Sequence, residues 1–125
     1  MRHALLAPFM VLLTSCTTTL YSPTLQISTA GGGGALDCNF VNVSAGPRSG
    51  TIQIVGLDGK VLSSVSYNTT PAGGGTGDAV STFSGATEVT TAYCKMTVDA
   101  GKDGLRASFS RRDTSGNTVA SVDLR

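Results

Sequence analysis

The chain has 125 residues, with nine Lys and Arg against eight Asp and Glu, a single His, no Trp and a formal net charge of +1. A near-neutral balance without basic clusters excludes the electrostatics on which binding to nucleic acid draws. The lone histidine, His3, lies in a segment that the N-terminal pattern marks for removal, and its loss leaves neither a Ser-His-Asp triad nor a His/Cys zinc site.

Arg2 and His3 precede ALLAPFMVLL, Ala4 to Leu13. This apolar run has the length of an export-signal h-region and falls well short of the roughly 20 residues that a membrane helix needs. Pro8 within it also opposes a long regular helix. The run ends in Leu13-Thr14-Ser15-Cys16, an aliphatic residue, two small ones and a cysteine, which resembles the bacterial lipobox. The resemblance implies a signal peptide over 1–15, a diacylglycerol thioether on the Cys16 sulfur and an acyl chain on its amine. Several chains bury enough methylenes, at about 0.8 kcal/mol each, for stable anchoring. Thr17 stands where an Asp would resemble an inner-membrane sorting signal, so the expected site is the outer membrane. The alternative is that Cys16 is discarded or left as an ordinary small residue near a secretory cleavage site, which gives a freely secreted protein. Either cut removes Arg2 and leaves eight basic side chains against eight acidic ones.

Residues 16–34, rich in Thr, Ser and Gly with Pro23 among them, read as a tether that holds one short strand at most, Thr24 to Ser28 (TLQIS). The folded domain is expected over 35–125. There the apolar pattern has period two. In ALDCNFV, Leu36, Cys38 and Phe40 share one face, while Asp37 and Asn39 take the other. Ile52 and Ile54 pair in TIQIV, and Asp58-Gly59 marks a hairpin. In the return strand Val61, Val65 and Tyr67 fall together. PAGGGTGD, Pro71 to Asp78, is a loop, and AVSTF is a weaker strand. In TTAYCKMTV, Ala92, Cys94, Met96 and Val98 alternate with Tyr93, Lys95 and Thr97. Cys38 and Cys94 thus lie in phase with apolar neighbours, and an inter-sheet disulfide is the economical geometry in an oxidising compartment. A final hairpin centred on Ser115-Gly116 would set Phe109 against Val122, Ala107 against Leu124 and Arg112 against Val119.

Seven or eight short strands and no helix after the leader predict an all-β fold, a two-sheet antiparallel β-sandwich, with a small barrel as the second choice. The Cys-to-Cys spacing is similar to that of immunoglobulin-like domains. The chain departs from their hallmarks in lacking Trp and in placing Tyr93 one residue, not two, before the second cysteine. The core also resembles small exported bacterial β domains that carry a strand cysteine followed by Asn and a later YCK strand.

No motif specifies a reaction. Glu88 is the only glutamate, and a glycosidase-like pairing with Asp78 or Asp99 has no support beyond residue type. DAGKDG lacks the carboxylate spacing of a calcium loop, and neither glycine cluster has the strand-helix context of a phosphate cradle. No catalytic, metal or cofactor site is expected. Tyr93 beside Lys95 is the one aromatic placed for surface contact. The reading is a non-catalytic envelope protein, anchored by lipid on Cys16 and binding or scaffolding another envelope protein. An adhesin-like or carbohydrate-binding secreted module is the alternative.

Overall fold

Alternation of apolar and polar residues, broken by Gly, Pro and Asp, has the physical outcome expected: every regular element among the described residues is a strand. The computed structural model describes residues 17–28, 33–44, 46–69, 80–84, 89–99, 101 and 104–125. The strands are β1 (Thr18–Tyr21), β2 (Leu25–Ser28), β3 (Ala35–Asn42), β4 (Arg48–Gly56), β5 (Val61–Thr69), β6 (Val80–Ser84), β7 (Val89–Val98), β8 (Leu105–Arg112) and β9 (Thr118–Asp123). They form two antiparallel sheets. One runs β1-β7-β4-β5 with β2 also on β7; the other runs β6-β3-β8-β9.

The inner faces supply the core. Leu36, Cys38, Phe40 and Phe109 from one sheet meet Ile52, Ile54, Cys94, Met96 and Val98 from the other, and all are buried. Phe40 and Tyr67 pack across the gap with ring centroids 4.4 Å apart. The disulfide joins Cys38 on β3 to Cys94 on β7, with Cα atoms 6.0 Å apart, so it staples one sheet to the other. The two-sheet plan and the inter-sheet bridge are those of immunoglobulin-like architecture.

Four local expectations need correction. First, the segment expected to be a tether contributes two strands. β1 and β2 lie end to end along β7, forming one edge strand interrupted at Ser22-Pro23-Thr24. Three residues there oppose two on β7, which is a bulge. Leu20 and Ile27 are buried by this pairing, and their burial is what draws the segment into the sheet.

Second, Asp58-Gly59 does mark the β4–β5 hairpin, but the β8–β9 hairpin is not centred on Ser115-Gly116. Gly59 N–H donates to the Gly56 carbonyl (2.9 Å) and Gly116 N–H to the Asp113 carbonyl (3.0 Å), so the central turn residues are Leu57-Asp58 and Thr114-Ser115. The glycine follows each turn at φ 84° and 85°, the left-handed position that a three-residue hairpin loop requires. Third, bulges in β4/β5 and β8/β9 shift the facing residues. Val61 pairs with Val55 and is exposed, while Leu62 packs against the core; Arg112 faces Thr118, not Val119. The Phe109–Val122 pairing stands, and Leu124 N–H donates to the Ala107 carbonyl.

Fourth, Asp37 is buried although it sits on the outer phase of β3. β3 is an inner strand between β6 and β8, and the Arg112 side chain reaches over it to form an ion pair at 2.6 Å.

Candidate functional site

The alternation that buries Cys94 and Met96 turns Thr91, Tyr93, Lys95 and Thr97 to the outer face of the β1-β7-β4-β5 sheet. Antiparallel register then lines up rows across four strands. Tyr21, Lys95, Gln53 and Ser64 form one row; Thr19, Thr97, Thr51 and Ser66 form the next. Thr51 and Thr97 share a hydroxyl–hydroxyl bond of 2.6 Å, and Gln53 Nε2 donates to Ser64 Oγ at 3.4 Å.

Tyr21 is the residue that sequence reasoning missed, because it fell within the supposed tether. The structure brings its ring to 6.2 Å from that of Tyr93, tilted by 49°. Tyr21 is half-exposed and Tyr93 partly covered. A signal was present in the alternation of Leu20 with Thr19 and Tyr21, but four residues are too few to establish a period. Two aromatic rings beside an ammonium, an amide and a rank of hydroxyls make a polar platform with an apolar corner. Such a surface can stack on an apolar ligand face and hydrogen-bond around it.

The other predicted residues are distributed as follows. Cys38 and Cys94 are paired and fully buried. Cys16, Asp78 and Glu88 lie outside the described residues. Asp99 is exposed where β7 ends and accepts a hydrogen bond from Ser49 Oγ at 3.1 Å. Nearby, Tyr67 donates its phenol proton to the Thr97 carbonyl at 2.7 Å. Burial pushes its pKa up to about 12, and the Asp99 charge adds to the effect. Among the described residues, no three His, Cys, Asp or Glu side chains gather into a metal-binding group.

No protein-family model and no curated protein matches the chain. Among solved structures it is similar to one described as "Structure of infectious bursal disease virus Gt strain", with 15% identity, a TM-score of 0.30 and 90% of this chain covered. The match spans 35% of that chain. Similarity of this degree fixes neither ligand nor activity.

Proposed function

We propose that the chain is an exported, lipid-anchored, non-catalytic envelope protein whose β-sandwich binds or scaffolds another envelope component. The observation that carries this reading is the buried Cys38–Cys94 bridge. Structural disulfides form and persist in oxidising compartments, which agrees with the apolar leader and the lipobox-like Leu13-Thr14-Ser15-Cys16. The platform of Tyr21, Tyr93, Lys95 and Gln53 is the contact surface in this reading.

Intact mass of the protein recovered from envelope fractions, with and without reductant, tests it. The expected species begins at Cys16, carries acyl groups and gains two hydrogens on reduction. A full-length precursor in the soluble cell interior with both thiols readily alkylated would overturn the reading.

The tyrosine pair also supports a second reading, a freely secreted carbohydrate-recognising module. That one requires unacylated protein in the culture medium and glycan binding that Tyr93→Ala abolishes.

A further inference from the structure

We infer that the lipid-bearing protein sits directly on the bilayer with one defined end of the sandwich against the headgroups. The inference rests on the anchored reading above and adds an orientation to it. Cys16 precedes Thr17 and Thr18 in sequence, and Thr18 is already in the sheet, opposite Val98. Two Cα–Cα steps reach at most about 7–8 Å. The headgroup layer on each side of the hydrocarbon is of similar thickness, about 5–8 Å. A sulfur carrying diacylglycerol at the membrane surface therefore holds the Thr18–Val98 pair within or just above the headgroups.

The topology says what else lies at that end. Gly50 pairs with Val98, and Asp99 N–H donates to the Ser49 carbonyl. Asn42 pairs with Leu105, and Val43 N–H donates to the Gly104 carbonyl. The turn from β3 to β4 and the connection from β7 to β8 thus share the end at which β1 begins. Val43 is exposed there, as is Arg106. Beside them an open cleft of about 360 Å³ is lined by Leu20, Leu105 and Leu124 together with Arg106, Arg125 and Asp123. Apolar surface with two arginines beside it suits the boundary between acyl chains and phosphates, where Arg106 and Arg125 outnumber the one side-chain carboxylate, Asp123. The hairpin turns around Asp58 and Ser115 occupy the opposite end, roughly 25 Å away by strand rise. Among the described residues the exposed charges at the seated end are of both signs, Asp99 and Asp123 against Arg106 and Arg125, so the covalent link, not a net electrostatic attraction, enforces the contact. The contact therefore survives high salt.

Depth-dependent quenching tests the orientation. With Cys16 acylated and Cys38 bonded to Cys94, an introduced cysteine is the only free thiol. Val43→Cys, Arg106→Cys, Gln26→Cys and Ser115→Cys are each purified from membranes, labelled with a fluorophore and reconstituted in phosphatidylethanolamine/phosphatidylglycerol vesicles containing headgroup-nitroxide lipid. All four positions are exposed, and Arg106 repeats the Val43 measurement at a second site. The expected result is severalfold stronger quenching at 43 and 106 than at 26 and 115, unchanged in high salt. Ten Gly/Ser residues inserted between Thr17 and Thr18 should level the four. Quenching at 26 or 115 equal to that at 43 in acylated protein overturns the orientation alone. Protein whose intact mass shows no acyl group overturns the anchoring and the orientation together.

Discussion

Ser22 and Cys94 exchange two hydrogen bonds in which a side chain replaces a carbonyl. Ser22 N–H donates to the Cys94 carbonyl at 2.9 Å, and Cys94 N–H donates to Ser22 Oγ at 2.8 Å. The bulge at Ser22-Pro23 takes away the backbone acceptor that Cys94 would otherwise meet, and the hydroxyl stands in for it. The same hydroxyl donates to the Pro23 carbonyl at 2.7 Å.

Ser22→Ala should therefore leave a buried N–H next to the disulfide without an acceptor. The expected loss is about 1–3 kcal/mol, read as a shift in the urea midpoint. Ser22→Thr, which keeps the hydroxyl, should recover most of it.

The inter-sheet bridge joins cysteines 56 residues apart. Cys38→Ala combined with Cys94→Ala should cost about 4 kcal/mol on the loop-closure account, a large share of the roughly 5–15 kcal/mol that a domain has. Denaturation of wild type in reductant should approach the double variant, whereas wild type without reductant should stay well above both.

Asp37 is buried and its partner Arg112 is half-exposed. Arg112→Ala strands the carboxylate. The penalty expected is about 1–3 kcal/mol, below that of a fully buried pair because water reaches the guanidinium. Adding Asp37→Asn should return part of the loss, and the double-mutant cycle measures the coupling.

Tyr67 ionises in the unfolded chain near its ordinary value of about 10 and in the folded one near 12. Its contribution is fully present below the lower value and is lost as pH rises through the upper one. Stability should fall by roughly 2–3 kcal/mol across that window. Tyr67→Phe should flatten this part of the profile, followed by denaturant titration at each pH.

Asp113 holds the β8–β9 turn through its carboxylate, which accepts the backbone N–H groups of Asn117 and Ser115, each at 2.9 Å. The Asn117 backbone bond contributes most to lowering its pKa. Its contribution is present above the ordinary carboxylate value and is lost as pH falls through the depressed one. Asp113→Ala should remove that acid-side decline and raise amide exchange at Ser115 and Asn117.

The sandwich and its staple were legible because period two is a local property. Leu36, Cys38 and Phe40 must share a face in any strand, as must Cys94, Met96 and Val98, and two in-phase cysteines have one economical partner each. Tyr93 and Lys95 followed from the same phase as outward residues. The places where phase changes were not legible. Each bulge inserts a single residue, and nothing nearby in sequence distinguishes Leu62 from Val61 as the one that packs against the core, or Thr118 from Val119 as the one that faces Arg112.

What the amino-acid order determined by itself was strand character, the inner and outer sets within each strand, and the sulfur pair, all consequences of side chains alternating along an extended backbone. What only the tertiary structure decided was the fate of TTLYSPTLQIS. Two four-residue strands have no stability of their own, and they become part of the fold because β7 offers an open edge and the core accepts Leu20 and Ile27. That long-range pairing sets Tyr21 beside Tyr93 and takes Thr18–Tyr21 and Leu25–Ser28 out of the expected tether.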